Sequence, residues 1–508
     1  MAESYKKKYF CLYFFKTLSF GLGLVSLFVV IPHISSDKEL YGIYSLCLSL
    51  VVYFSYADLG FTGAAQKFAA EAYIQKDKVQ EQKIVGFIAV LLLSFMMLVA
   101  VVLLLFSFCP EKVINGLQYG ESRDIARQLL LIIVCSFPLY AANRILDIIY
   151  SIRLEDYKYQ GCIILGNIIR IVSVFYFFSP GRYLIVEFFL FSQIIMAICC
   201  IIGGLYAYIR YDYGVYFIKS MKFEKSVFDK LKYMAFASLI GMISWILYYE
   251  LDQIVIAKLW GAQTVAVYAI GFAITSYIRT YNSILYSPFT PRMNYFVGNR
   301  DQEGLDHFTK NLMIYLFPIQ FFPIVVMICF ALPFITHWTG IQYLESVPIS
   351  QILALSFAFL FITNPAGVYI QAMEKNSKTI VSSLINVVVF WLGILVGCRF
   401  MGVMIFPIMK VATIFIGFLY ICYIMNSISE IRMNEVALSI IRHYSLPLLL
   451  CGLLSSFVSG LVLHTNLFIV LLSMGMSLFL SLGIAYYSTQ ATRTQIRELI
   501  KSVKNHII

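Results

Sequence analysis

The sequence predicts an all-α polytopic membrane protein, and three observations predict it. Of 508 residues, 60% are hydrophobic and only 13% are charged, whereas soluble domains carry roughly 25% charged residues. Apolar stretches of about 20 residues, long enough to cross about 30 Å of hydrocarbon, recur along the chain with short polar breaks. They are continuously apolar, without the alternation of a membrane barrel, and lipid offers a backbone no hydrogen-bond partners, so each is expected to be a helix. The same figures argue against a soluble enzyme, a nucleic-acid-binding protein and a disordered scaffold. The net charge of +11 does not change this, because no segment joins a basic patch to a soluble fold. The eleven cysteines fall in apolar stretches without metal spacing and read as small buried hydrophobes.

Fourteen spans are expected, at 9–34, 41–60, 84–109, 127–150, 159–178, 183–209, 233–257, 263–287, 311–334, 348–373, 379–398, 402–424, 443–463 and 466–487. The first follows Lys6-Lys7-Lys8, like a signal peptide, but its long apolar run has no small-residue cleavage site after it and reads as a retained anchor. The polar stretch 66–83, with Lys67, Glu71, Lys76 and Lys78, reads as a surface helix extending the second span. The eleventh and twelfth spans are divided only by residues 399–401. The domain organisation expected is a six-span lobe at 1–209, a basic linker at 210–232, a second six-span lobe at 233–424, and a helix pair with a tail at 425–508.

Orientation follows from Lys and Arg. Of the 38 cations, 26 lie in alternate segments that begin with the N-terminal tail and end with the C-terminal tail, against 7 in the intervening loops. This asymmetry places both termini in the cytoplasm. A repeat is traceable at an offset of 224: Lys8-Tyr9 corresponds to Lys232-Tyr233, Tyr44 to Tyr268, and Asp58 to Asn282. Duplicated halves are common in alternating-access transporters.

Two motifs carry a resemblance. Leu251-Asp252-Gln253-Ile254-Val255-Ile256-Ala257 precedes Gly261 and Val265-Ala266-Val267-Tyr268-Ala269, and Tyr41-Gly42-Ile43-Tyr44 leads to Ala57-Asp58-Leu59-Gly60. With two six-helix lobes, a basic central loop and two extra helices, the chain resembles the bacterial lipid-linked oligosaccharide flippases that serve O-antigen and other surface polysaccharides. These belong to the multidrug/oligosaccharidyl-lipid/polysaccharide exporter superfamily. The resemblance implies a V-shaped pair of helical bundles in the bacterial inner membrane. It also implies export of an undecaprenyl-pyrophosphate-linked glycan from the cytoplasmic to the periplasmic leaflet. Membrane lipids are then expected partners, and polysaccharide polymerase machinery is a candidate one.

Five cations remain inside the spans, Lys16, Arg144, Arg170, Arg279 and Lys410. A charge near the bilayer centre costs at least ~2.5–3.5 kcal/mol on insertion scales. Together they could line a lumen for a pyrophosphate headgroup, and arginine suits it because its planar fork grips phosphate oxygens bidentately. The competing readings are snorkelling for Lys16 and neutralisation of Arg144 by Asp147 at i+3. Asp58, Asp147, Glu250 and Asp252 are candidates for ion coupling, with H+ or Na+ as the ion, or for charge pairing. Glu250 and Asp252 lie about 200° apart on an unbroken helix, so one of them is expected to pair with a cation such as Lys258 or to reach the outer interface. Tyr248, Tyr249, Tyr277 and Tyr281 flank these charges and are candidates for sugar contact, against the ordinary role of tyrosine in the interfacial belt. Pro365, in Asn364-Pro365-Ala366-Gly367, is the hinge candidate among Pro138, Pro318, Pro323 and Pro407, each of which could equally be a fixed kink.

No polar segment carries a phosphate-binding loop, a nucleotide fingerprint, a Ser/His/Asp grouping or a metal-ligand set. The reading is therefore a transporter, not an enzyme, that uses no cofactor. The alternatives are an ion-coupled drug/cation antiporter of the same superfamily, against which the five cations tell, and a membrane glycan polymerase or ligase, which would need a long outside loop.

Overall fold

The computed structural model describes residues 2–56, 58–117, 120–286 and 289–488, with the backbone alone at 2–7, 9, 10, 55, 215, 237, 283, 284, 376, 377 and 379. Ala57 and the expected cytoplasmic tail from residue 489 lie outside the described residues. Among the described residues the chain is helical and contains no strand. Contacts divide it into two compact units, Met1–Ala266 and Val267–Ile508.

The first unit contains α1 (Ala2–Ile34), α2 (Lys38–Tyr56), α3 (Phe61–Ile74), α4 (Lys78–Phe108), α5 (Glu121–Ser151), α6 (Asp156–Phe177), α7 (Ile185–Tyr211), the short α8 (Val215–Ser220), α9 (Lys225–Tyr249) and α10 (Asp252–Trp260). Helix α11 (Ala262–Tyr286) leads into the second unit. There follow α12 (Thr290–Gly298), α13 (Gln302–Tyr315), α14 (Phe317–Trp338), α15 (Ser346–Ser356), α16 (Leu360–Ala372), α17 (Asn376–Met401), α18 (Ile405–Ile428), α19 (Met433–Leu461) and α20 (Leu467–Ser488). In the first unit α4 packs on α5, α1 on α6, α7 on both α5 and α6, and α3 on α4 and α9. In the second, α17 packs on α18, α15 on α18, and α14 on α15, α19 and α20. By contacts α9 and α10 therefore sit with the first unit, α9 through a ring cluster that includes Phe61, Phe228 and Phe236, and α10 against α2.

Among the described residues, eleven helical stretches are long and apolar enough to cross a membrane. Helices α2 and α11, 19 and 25 residues long, are not among them. Helices α17 and α18 form one stretch, Ile380–Ile428, broken at Gly402 with φ 56°, so Arg399 lies in the last turn of α17 and not in a connecting loop.

Several boundaries differ from the sequence reading. The stretch 66–83 does not extend the second span: Leu59 and Gly60 turn the chain with φ of 48° and 82°, α3 is a separate helix, and Ala64, Ala65, Ala69 and Ala72 on it are buried. Glu81, expected on a surface helix, is buried in the first turn of α4. The tenth expected span breaks at a 3₁₀ turn, Phe357–Phe359, and α16 then runs without interruption through Pro365. Pro318 and Pro407 lie in the first turns of α14 and α18, where a missing N–H costs no intrahelical bond.

The repeat has backbone counterparts. Lys76 and Arg300, 224 positions apart, both adopt left-handed φ (60° and 56°). The next residues, Asp77 and Asp301, cap α4 and α13 by accepting from the N–H three positions on. The preceding helices end with matching bonds, Asp77 N to Ala72 O and Asp301 N to Phe296 O. Leu154 and Glu374, 220 positions apart, are also both left-handed, and the residues after them donate to Tyr150 O and Ile370 O. Tyr44 and Tyr268 are both buried, the first edge-on to Phe189 of α7, the second edge-on to Phe406 of α18.

At the cation-rich ends of the first unit, Arg153 forms a buried ion pair with Glu81, and Tyr213 donates to the same carboxylate at 2.6 Å. The Arg153 guanidinium lies 4.9, 4.6 and 5.5 Å from the rings of Tyr73, Tyr211 and Tyr213. Next to it Glu155 accepts from Lys8 at 2.9 Å, from Lys158 and from Tyr211. Burial works against the Glu155 carboxylate, but these hydrogen bonds outweigh it and hold its pKa down to about 2.

Two predictions follow from this packing. A Cβ on Gly42 would lie 1.9 Å from the Ala262 carbonyl oxygen, while one on Gly21 would meet nothing within 4 Å. Gly42→Ala should therefore destabilise the purified protein by about 1–3 kcal/mol, read as a lower melting temperature in detergent, and Gly21→Ala should not. Because its folded pKa is depressed below the ordinary ~4.3, the Glu155 contribution is fully present above that value and lost as pH falls towards 2. Hydrogen exchange at the α1 N-terminus should stay protected at pH 4, and Glu155→Gln should lose part of that protection at neutral pH.

Candidate functional site

Intramembrane ionisable side chains define the candidate site, and the structure sorts them by unit. In the first unit, Arg170 sits two-thirds of the way along α6. Its Nε is buried and has no hydrogen-bond partner among the described residues, and no carboxylate lies within ion-pair distance of it in that set. It lies close enough to Tyr44 of α2 for the two to interact electrostatically. Tyr44 interacts in turn with Tyr140 of α5, whose hydroxyl donates to Gln193 of α7 at 3.0 Å. Tyr140 also stacks on Phe54 at 5.3 Å. Four helices thus contribute to one polar seam through an otherwise apolar bundle.

A second polar set lies on α1, α5 and α6. Lys16 is exposed on α1 and acts electrostatically on Asp156, the first residue of α6. Asp147 interacts with both Arg144 and Asp156, so Arg144 has its acid at i+3, as the competing sequence reading held. Asn143 accepts from Tyr159 at 2.6 Å. The three first-unit cations therefore stand in different surroundings. Lys16 and Arg144 share a neighbourhood with two aspartates, and Arg170 lies within electrostatic reach of Tyr44.

The carboxylates Glu250 and Asp252 do not share one helix. Helix α9 ends at Tyr249 and α10 starts at Asp252, so the 200° argument fails at its premise. The break puts both acids at a helix junction beside α2: Tyr56 donates to Glu250 at 3.4 Å, both acids act on Tyr53, and Ser45 donates to Gln253 at 3.0 Å. Asp252 is buried in the first turn of α10, where the helix dipole favours a negative charge. Lys258 forms no ion pair among the described residues; its ammonium donates to the Lys112 carbonyl at 2.7 Å. Tyr248 is buried and Tyr249 half-buried, and Tyr249 packs against Trp245 and Tyr248 at 4.4 and 4.6 Å. Neither an apolar break residue nor a proline marks this junction in the sequence, and Tyr53 and Tyr56 were missed for the same reason.

Asp58 follows the same C-terminal end of α2, two residues beyond Tyr56, where its carboxylate accepts from Gly60 N at 3.4 Å and Thr62 N at 3.2 Å. It stands two positions before Gly60, the N-cap of α3, and holds N–H groups at the helix start as a capping side chain does.

In the second unit, Arg279, Tyr277 and Tyr281 lie half-buried on α11, and the Tyr281 hydroxyl donates to Ile319 O at 3.3 Å. Lys410 of α18 is 2% exposed and its ammonium lies 5.0 Å from the centre of the Phe390 ring. No group of three or more His, Cys, Asp or Glu placed to hold a metal ion occurs among the described residues.

The cap geometry separates two roles for Asp58. Asp58→Ala should cost about 1 kcal/mol of stability, and Asp58→Asn should restore it without the charge. A melting temperature and a transport rate measured on both variants check this; loss of transport in the well-folded Asn variant would assign Asp58 a charge-dependent role instead.

The family model described as polysaccharide biosynthesis protein matches residues 5–294, and the model described as MatE matches residues 237–398. No curated protein matches the sequence. Among solved structures, the lipid II flippase MurJ in an inward closed conformation aligns with a TM-score of 0.65 at 14% identity, covering 93% of this chain and 99% of that one. An inward-facing multidrug resistance MATE transporter aligns at 0.60 and 12% identity, over 79% and 94%. A superfamily transporter from Pyrococcus furiosus, whose structure is described by the reverse polarity of its binding pocket, aligns at 0.55 and 12% identity, over 83% and 96%. At these identities the likeness is one of fold, and the fold is that of the exporters. Since the first model covers more than half of the sequence, the chain belongs to the polysaccharide biosynthesis protein family, within the multidrug/oligosaccharidyl-lipid/polysaccharide exporter superfamily.

Proposed function

We propose that the protein is a flippase for a lipid-linked oligosaccharide, an undecaprenyl-pyrophosphate-linked repeat unit of a surface polysaccharide. It carries the headgroup from the cytoplasmic to the periplasmic leaflet of the bacterial inner membrane by alternating access. The observation that carries the reading is Arg170, a cation far inside an apolar span, near Tyr44 and with no carboxylate in ion-pair distance among the described residues. A charge held there at several kcal/mol of cost is matched by a transient anion, and a guanidinium offers a pyrophosphate two parallel N–H donors. Arg279 and Lys410 supply cations in the second unit, and Lys16 and Arg144 in the first. Tyr248, Tyr249, Tyr277 and Tyr281 supply ring faces for sugars. Pro365 remains the hinge candidate, with the 3₁₀ turn before α16 as the adjoining discontinuity.

The carboxylates Glu250 and Asp252 at the α9–α10 junction, with Tyr53 and Tyr56 beside them, fit the coupling site for H+ or Na+. The same pair, with the MatE match over residues 237–398, is what favours the second reading, a drug/cation antiporter. The two readings differ in which charges are indispensable.

Neutralising Arg170 and Arg279 together, as the Gln variants, should abolish surface glycan and leave the membrane level of the protein unchanged. Arg170→Lys should retain part of the activity, because charge survives and the bidentate fork does not. The readout is surface polysaccharide by gel and accumulation of the lipid-linked glycan on the cytoplasmic leaflet. Normal export by the double variant would remove the cationic pathway.

A further inference from the structure

We propose that the first unit carries a binding site for the headgroup of an anionic phospholipid, in a cavity walled by the α3–α4 turn, the α5–α6 turn and the C-terminal end of α7. The cavity measures about 430 Å³, and its wall includes Lys76, Lys78, Arg153 and Arg210. This is within the range of small-molecule sites. It is distinct from the polar seam around Arg170, and nothing in the inference depends on what the protein transports.

The charges around it divide into two groups. Arg153 is spent on Glu81 and on three tyrosine rings. Lys78 donates to Tyr211 O and pairs with Asp212 at 3.3 Å. Lys8 and Lys158 both serve Glu155. Lys76 and Arg210 have no ion-pair partner among the described residues, and both are exposed. The wall thus holds four cations against two carboxylates, Glu81 and Glu155, and the two uncommitted cations belong to it. The committed side chains fix the turns, and the uncommitted ones are left for an anion.

The duplicated corner of the second unit shows that the fold does not require this charge. There the same left-handed turn at Arg300 and the same cap at Asp301 recur, but Gln302 stands where Lys78 does and Leu305 where Glu81 does. That corner closes on Asp306, which accepts from Tyr369 at 2.6 Å, from Gln302 at 3.0 Å and from Glu430 N at 2.7 Å. One carboxylate with neutral donors is enough to join the helices there; Arg300 keeps a cation where Lys76 stands, while the Glu81–Arg153 pair has no counterpart, Leu305 standing at the position of Glu81.

Placement argues for a lipid over a free phosphate. Lys78 opens one apolar span and Arg210 lies in the last turn of another, so the cavity sits at the level where helices leave the hydrocarbon. Ile74 and Ile209 flank the uncommitted cations and are 78% and 74% exposed, which gives acyl chains an apolar surface beside the phosphate. The excess of Lys and Arg on this side assigns it to the anionic cytoplasmic leaflet.

The test uses the purified full-length protein and three probes in detergent: dioctanoylphosphatidylglycerol, dioctanoylphosphatidylcholine and inorganic phosphate, with binding read by native mass spectrometry and titration calorimetry. Phosphatidylglycerol should bind, and the Lys76→Gln/Arg210→Gln variant should weaken it about tenfold or more, near the sum expected for two interfacial cations. Arg300→Gln, at the matching turn of the second unit, should leave binding unchanged. Equal binding of phosphatidylcholine, inorganic phosphate competing as tightly as the lipid, or wild-type affinity in the double variant would each overturn the proposal. Should the double variant fail to fold, the single Lys76→Gln change at an exposed position reads the same effect at reduced size.

Discussion

Everything in this protein answers to the cost of placing an ionised group in hydrocarbon. The chain keeps its charged fraction at 13%. The few charged groups left inside the helical bundles meet that cost in three ways. Arg153 and Glu81 meet it with each other and with the rings of three tyrosines. Asp58 meets it with the free N–H groups at the start of α3. Arg170 lies within electrostatic reach of Tyr44 and has no carboxylate at ion-pair distance among the described residues, and the proposed function sets a passing anion beside it.

The duplication shows how the same scaffold can carry different chemistry. Left-handed turns at Lys76 and Arg300, and caps at Asp77 and Asp301, impose the same chain reversal in each unit. Side chains one turn further on are free to differ, since the backbone bonds have already closed the corner. In one unit they are an ion pair set among tyrosines, and in the other a single aspartate serving as a hydrogen-bond hub. The contact units and the repeat also part company: α9, which opens the second copy in sequence, packs on α3 of the first unit. Contact between ring faces, not descent, decides where it lies.

Sequence alone went far towards the fold because apolar run length is a direct reading of bilayer thickness. It also found the repeat, through Tyr44 and Tyr268 and through Lys8-Tyr9 and Lys232-Tyr233. What it could not read were breaks without proline or glycine. The α9–α10 junction falls between Glu250 and Asp252 in a run that looks continuous, so the relation of those acids was misjudged. Conversely Pro365, the most visible breaker, stands inside an intact α16, with the break displaced to Phe357–Phe359. The Glu81–Arg153 pair was hidden for another reason. Its members are 72 positions apart and each lies in a segment whose composition reads as surface. For the intramembrane cations, sequence supplied the residues and structure supplied their company, separating Arg170 from Lys16 and Arg144, which lie near aspartates.

The central claim is that this fold passes an anionic, lipid-linked headgroup across the bilayer. The most direct measurement is transbilayer movement of a fluorescently labelled undecaprenyl-pyrophosphate glycan in liposomes containing only the purified protein, read by accessibility of the label to an impermeant quencher. The account predicts protein-dependent movement of that lipid to the opposite leaflet, which an organic cation neither matches nor inhibits. A glycan lipid that stays in its original leaflet, in vesicles where the same protein exchanges an organic cation for protons or Na+, would contradict it.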